Sequence, residues 1–382
     1  MAAGSPETAD PTPRSVVFVT NGLSLGGAET QTVRIATEFA RRGIDVRILS
    51  ILPSTAFRDE LRAHSIELVE LIDGKRFAGP KVLWKAMRLL RKWKPDAVIG
   101  FVFQSNMLAR IAGRLAGVPL VVSSFRLQSE KSGYRELIVR LTDPLTSVSA
   151  FDSQRVADAT VARHATRAKK VRVIPNAIDV DALEAGAARR DETRDELGLH
   201  DQFVWLIVGR LVHEKDHHTL LAAWEMLDRE HTRPRTLLVV GDGVLRDELV
   251  ATAEGLGISA SVRWLGARHD VPRLLAACDA FVLSSATESS PNALLEAAAM
   301  GRPAVTTDVG GTREFDPTGE AIRYVESRSP ADLAKAMAVV ETSDDVAARM
   351  AVRDRLRERH DLSRAADLWL NACRSNRQRS NH

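Results

Sequence analysis

SVVFVTNGLSLGGAETQTVRIATEFARRGIDVRILSI, residues 15–51, reads as strand, loop, helix and strand in succession. The apolar run SVVFVT (15–20) suits a buried strand, and the helical pattern from Glu29 runs to Arg42 before Gly43 stops it. DVRILSI (45–51) supplies the second strand. This βαβ opening is followed by further strand candidates, DAVIGFV (96–102), PLVVSS (119–124) and TSVSA (146–150), with the helical MLARIAGRLAG between the first two. Such alternation implies a parallel sheet covered on both faces.

The same pattern starts again at FVWLIVG (203–209) and continues through TLLVVGDG (236–243), VRWLG (262–266), AFVLSS (280–285) and PAVTTD (303–308). A Pro-Asn turn in VIPNAIDVDAL (173–183) marks the break between the two series, and from Pro330 the chain is mostly helical to about Asn376. The expected fold class is α/β, two doubly wound Rossmann-like domains facing a cleft, with C-terminal helices. The divisions are a disordered tail (1–13), a first domain (14–183), a second domain with terminal helices (184–376) and a frayed end (377–382). Ligands of open α/β sheets bind at the carboxyl ends of the strands, so the cleft is the expected site.

Of the 382 residues, 45% are hydrophobic, enough for two cores. Cys278 and Cys373 lack metal-ligand spacing and fit a reducing compartment. No apolar stretch is long enough to span a bilayer and the N-terminus lacks a signal-peptide core, so a cytoplasmic protein is expected. The net charge of +3 is uneven: residues 14–172 hold 27 Lys and Arg against 14 Asp and Glu, whereas 173–382 hold 26 against 34. The first half should attract anionic partners.

Three motifs carry chemistry. Gly26 and Gly27, directly before a helix, suit close approach to a phosphate or sugar, although NGLSLGGAE is not the G-x-G-x-x-G fingerprint and DVRILSI lacks a terminal acid for a ribose. An oxidoreductase using a nicotinamide cofactor is therefore disfavoured. VGRLVHEKDHHTLL (208–221) places Arg210 and Lys215 after a strand, where they could neutralise a diphosphate or form ordinary solvated charges. His213, His217 and His218 read as solvated loop residues, because no acid or cysteine pattern accompanies them. Finally, TESSPNALLEAAAMG (287–301) predicts a helix over Pro291–Met300 with Ser290 as N-cap and Gly301 as stop. Its N-terminus favours an anion, while Glu288 and Glu296 can each accept hydrogen bonds from the vicinal hydroxyls of a sugar.

GRLVHEK, VVGDGVLRDEL, WLGARHDVPRLLAACDAFVLSS, ESSPNALLEAAAMGRPAVTTDVGG and VIPNAID together resemble the donor domain of retaining glycosyltransferase family four, of GT-B fold. SLGGAE and PDAVIG are similar to its N-terminal domain, so the resemblance covers roughly residues 15–375. It implies an acceptor-binding first domain, a nucleotide-sugar-binding second domain, and a hexose or N-acetylhexosamine moved from a nucleotide sugar, a UDP-sugar favoured, with retention. On this resemblance Glu288, Arg210 and Lys215 are catalytic. The donor lies among Gly27, Gly209, Arg210, Lys215, Gly266, Arg268, Glu288, Asn292, Ala293, Leu294 and Glu296, with Glu288 at the sugar and Glu296 at the ribose. Gly26, Gly27, Gln104 and Arg126 line the acceptor side. Family members often carry a histidine where this chain reads FVFQSN, and Gln104 or Arg126 is a candidate replacement; a purely structural Arg126 is the alternative.

No metal or cofactor is implied. The expected acceptor is a glycan, glycolipid or small molecule, with cell-envelope glycan assembly favoured. Glycosylation of a soluble natural product and a non-catalytic nucleotide-sugar binder are the alternatives. KVLWKAMRLLRKWK (81–94), with six basic residues and no acid, could face anionic lipid at the inner side of the membrane, although a sheet-covering helix with a solvated basic side is the favoured reading. Nucleic acid is not an expected partner, since no reading module accompanies the charge.

Overall fold

Two parallel sheets realise this alternation in the computed structural model, which describes residues 12–74, 79–126, 133–229, 233–343 and 345–374. The first contains β1 (Ser15–Thr20), β2 (Asp45–Ser50), β3 (Glu67–Glu70), β4 (Ala97–Phe101), β5 (Leu120–Phe125), β6 (Val148–Phe151) and β7 (Val171–Val173). Its connecting helices are α1 (Gly27–Arg41), α2 (Arg58–Ala63), α3 (Gly79–Trp93), α4 (Phe103–Ala116), α5 (Gly133–Thr142) and α6 (Gln154–Ala162). Helices α7 (Val180–Ala187) and α8 (Arg190–Glu196) lead to the second sheet, β8 (Phe203–Val208), β9 (Arg235–Val240), β10 (Val262–Gly266), β11 (Ala280–Leu283), β12 (Ala304–Thr307) and β13 (Ile322–Val325). There the connections are α9 (His217–Asp228), α10 (Arg246–Gly255), α11 (Val271–Ala277) and α12 (Asn292–Ala299); α13 (Pro330–Thr342), α14 (Val346–Arg359) and α15 (Leu362–Ala372) follow.

The strand orders are β3-β2-β1-β4-β5-β6-β7 and β10-β9-β8-β11-β12-β13. Sequence patterning missed β3, β7 and β13, which are all edge strands of four residues or fewer. An edge strand needs no continuous apolar run, because one side has no strand neighbour to pack beside. The 1–13 and 377–382 tails lie almost wholly outside the described residues.

Packing decides where the connecting elements belong. Leu183 and Ile178 join the core beneath the second sheet, so α7 packs there, mainly on α11. The last helix does the reverse: Ala365, Ala366, Trp369 and Leu370 of α15 enter the core of the first sheet. Trp369 lies 5.4 Å from the Phe101 ring, which stacks on Phe18, and Phe18 in turn meets Phe39. Truncating a ring so placed costs about 3–5 kcal/mol, so α15 straps the two halves of the chain together.

Candidate functional site

Each sheet reverses its direction of winding at one place, between β1 and β4 in the first and between β8 and β11 in the second. The loops leaving these strands therefore meet in the cleft. The helix α12 starts one residue later than expected: Pro291, at φ −73° and ψ 116°, is the N-cap, and no side chain caps the first turn. Because Pro291 is itself extended, it and not Ser290 takes the N-cap position, and the Ser290 carbonyl instead accepts from Asn176 Nδ2 at 2.9 Å. Gly301, at φ +72°, ends the helix as expected.

Facing it is the N-terminus of α1, whose N-cap Gly26 also provides no side-chain cap. Asn292 Nδ2 donates to Gly27 O at 2.9 Å, and Asn292 Oδ1 accepts from Asn176 Nδ2 (2.8 Å) and Gln31 Nε2 (3.3 Å). Two uncapped helix N-termini thus converge on one seam of the cleft, and their dipoles add there in favour of an anion. Glu29, in the first turn of α1, folds its carboxylate against Gly26. Burial raises the Glu29 pKa, opposed by its own backbone N–H and by Arg210.

Glu288 and Lys215 form an ion pair, and Ser285 Oγ donates to Glu288 at 2.7 Å. The loop after β8 is strapped to the loop after β11 by Ala286 N to Glu214 O (2.9 Å) and Ser284 Oγ to Lys215 O (3.0 Å). Behind them Gly310 has φ +55°, and any Cβ there would collide with the Glu288 carbonyl. Lys215 spends one of its three donors on Glu288, leaving two for an incoming anion. Arg210 is exposed, Gly209 lies beside the Lys215 stem, and Leu294 is buried while Ala293 is half-buried.

Glu296 is committed differently. Its Oε1 accepts from Arg34 of α1 at 2.8 Å, and the other arm of that guanidinium donates to Ala177 O at 3.0 Å. Gln31, one turn earlier, grips Ala177 through both its N–H (2.7 Å) and its carbonyl (2.8 Å). Sequence reasoning missed Glu29, Gln31, Arg34 and Asn176. GGAE and PNAI stood inside quoted motifs, but nothing in their spacing shows partners more than 100 residues away. On the far wall the Gly266 carbonyl accepts from Gly241 N at 2.8 Å, with open space where its side chain would be. Arg268 forks onto Asp270 at 2.8 and 2.6 Å, so its guanidinium is occupied there.

The two candidate replacements for a histidine part company. Gln104 is exposed at the start of α4, and its Oε1 accepts from Asn21 Nδ2 at 2.6 Å in the loop after β1. Arg126 is not an open acceptor-side group: it is buried, pairs with Asp152 at 3.7 Å, bonds Asn176, and lies over the rings of Phe101 and Trp369. Burial pulls the Arg126 pKa down and pushes the Asp152 pKa up, each opposed by the other's charge. Ahead of Gln104, Val102 sits at φ +64° and ψ 175°, a region that β-branched residues avoid. Val102→Gly should therefore raise unfolding free energy by about 1 kcal/mol in a urea titration; an equal loss would show that the valine side chain outweighs the strain.

Of the loop histidines, His213 is exposed and His218 pairs with Glu248 at 2.9 Å, but His217 corrects the solvated reading. It is 1% exposed at the first position of α9, neither ring nitrogen has a hydrogen-bond partner among the described residues, and burial pushes its pKa down to about 4. His360 is similarly depressed, to about 4. The unfolded chain binds these protons first, so stability should fall as pH drops from about 6.5 towards 4. A melting temperature that stays level over this window in wild type would contradict that. Among the described residues, no group of three His, Cys, Asp or Glu side chains is placed to hold a metal, and no helix is long and apolar enough to cross a membrane.

Two facing α/β sheets with a cleft at both switch points are the GT-B architecture. Structural neighbours agree on the fold: Anabaena Alr3699/HepE, solved with UDP-glucose, superposes with a TM-score of 0.78 at 22% identity over 94% of this chain and 98% of that one. WaaG, involved in lipopolysaccharide biosynthesis, gives 0.71 at 20% identity over 92% and 99%. The model of Glycosyltransferase Family 4 matches residues 25–182 and that of Glycosyl transferases group 1 matches 189–357, and the chain belongs to this family. Among relatives, the UDP-Gal:alpha-D-GlcNAc-diphosphoundecaprenol alpha-1,3-galactosyltransferase of Escherichia coli is 30% identical over 62% of this chain and 65% of its own length. The lipopolysaccharide core biosynthesis glycosyltransferase LpsE of Rhizobium meliloti (strain 1021) is 27% identical over 86% and 89%.

Proposed function

We propose that this glycosyltransferase moves a hexose or N-acetylhexosamine from a nucleotide sugar, a UDP-sugar, to a hydroxyl of a lipid-linked or envelope glycan, with retention. The convergence of the uncapped N-termini of α1 and α12, with the Lys215–Glu288 pair just ahead of α12, carries the reading, since it forms an anion seat flanked by Glu288 and Glu296. The second half takes the donor and the first half presents the acceptor. Lys215, Arg210 and the first turn of α12 stabilise charge developing on the leaving diphosphate, and the acceptor proton passes to that phosphate as the glycosidic bond breaks. Glu288 and Glu296 accept from hexose and ribose hydroxyls, Arg34 keeping Glu296 oriented. UDP and UDP-glucose in the HepE structures and the diphosphoundecaprenol acceptor of the E. coli relative support this choice of donor and acceptor.

A thermal-shift screen over UDP, GDP and ADP sugars should single out a UDP-sugar, and proton NMR of the product should show the donor's anomeric configuration. An inverted product would overturn the retaining mechanism. EDTA should leave turnover unchanged, and its abolition by the chelator would contradict a mechanism in which protein cations alone stabilise the leaving group. Glu296→Ala should weaken donor binding by about 1–3 kcal/mol, the range for a lost charge-assisted hydrogen bond, as measured by calorimetry; wild-type affinity would remove Glu296 from the ribose. Binding of a nucleotide sugar without turnover of any acceptor would favour the non-catalytic binder.

A further inference from the structure

Helices α3 and α4 cover the face of the first sheet opposite α1 and α15, and α5 packs beside α4. The inward side of α3 is Val82, Ala86 and Leu90, which leaves its basic side outward. Large apolar side chains also point outward from these three helices: Trp84 (56% exposed), Leu115 (53%), Tyr134 (61%), Leu137 (55%) and Leu141 (69%). Three of them, Tyr134, Leu137 and Leu141, form a stripe along α5, where only Val139 faces the core. Together the helices carry nine Lys and Arg residues and a single acid, Glu136, which pairs with Arg163 at 3.5 Å. Exposed Lys81, Arg88, Lys92, Arg135 and Arg140 have no carboxylate partner among the described residues.

We propose that this α3–α5 face docks the protein on an anionic lipid surface. Apolar side chains interleaved with cations that lack a carboxylate partner among the described residues match the boundary between acyl chains and anionic headgroups, where the leucines and aromatics enter and the cations meet phosphate. A second copy of the chain fits less well, because a two-fold contact through this face would set its cations against themselves. The inference rests on exposure and charge and is independent of the donor reading. Docking through the sheet's flank leaves the carboxyl ends of β1 and β4, and hence the cleft, uncovered.

Flotation with phosphatidylcholine vesicles, with and without about one third phosphatidylglycerol, tests it on the full chain. Wild type should float with the anionic vesicles, lose binding as salt rises, and stay behind with neutral ones. L137D combined with L141D, and separately R135E combined with R140E, should each weaken binding about tenfold or more. UDP affinity and melting temperature should stay at wild-type values, since all four side chains are exposed. No binding to anionic vesicles, equal binding to neutral ones, or full binding by both double variants would overturn the proposal. So would a wild-type dimer in sedimentation that L137D/L141D abolishes, which would make the face a subunit contact.

Discussion

Lys215→Ala is expected to lower kcat by about 10²–10³-fold, equivalent to about 3–4 kcal/mol of transition-state stabilisation, with a smaller change in donor KM. In the resting site the ammonium pairs with Glu288, which lies just ahead of Pro291, the N-cap of α12. Negative charge on the diphosphate grows as the glycosidic bond breaks, so a cation at this point acts more strongly on the transition state than on the bound donor. The substitution also strips Glu288 of its cation, and its carboxylate is largely buried. Lys215→Arg separates the two effects: it keeps a charge against Glu288 and should recover part of kcat, because a planar fork aims differently from an ammonium. Wild-type turnover in Lys215→Ala would remove this residue from the chemistry.

The second large effect falls on stability. Arg126→Ala should cost about 3–5 kcal/mol in urea unfolding, the penalty for leaving one member of a buried ion pair without its partner. Among the described residues Asp152 would keep only Ser289 as a side-chain partner, and Phe101 and Trp369 would lose the guanidinium stacked 5.2 and 5.9 Å from their rings. Burial already raises the Asp152 pKa against the pull of Arg126, so removing the arginine lets it rise further. In the variant Asp152 takes up a proton more readily, and the gap to wild type should narrow as pH falls. Arg126→Met combined with Asp152→Asn should restore most of the loss, since neither buried side chain then carries a charge. A single-variant loss under about 1 kcal/mol would show that the pair does not hold β5, β6 and the segment at Asn176 together.

The second acid of the motif shows how differently the two halves of a motif can be placed. Glu288 and Glu296 stand eight residues apart in one quoted stretch, yet one is answered by Lys215 of the same sheet and the other by Arg34 across the cleft. Both carboxylates were legible from a strand end and a helix start. Their counter-ions were not, because Arg34 is 262 residues from Glu296 and belongs to a different sheet. Arg126 illustrates the converse: it follows a strand, as a site residue would, but α15 closes over it and buries its charge.

The sequence determined the elements that local chemistry controls. Apolar runs specified the central strands, glycines such as Gly43 and Gly301 stopped helices by their left-handed backbone, and the ordered motifs identified the family. Tertiary structure alone decided which charges face one another, Arg34 with Glu296 and Arg126 with Asp152, and buried His217 at the start of α9 with no hydrogen-bond partner among the described residues. The physical reason is one of range. Periodicity and propensity act within a few residues, whereas the environment of a charge depends on how two sheets and a returning helix pack, and that packing brings together groups the chain keeps far apart.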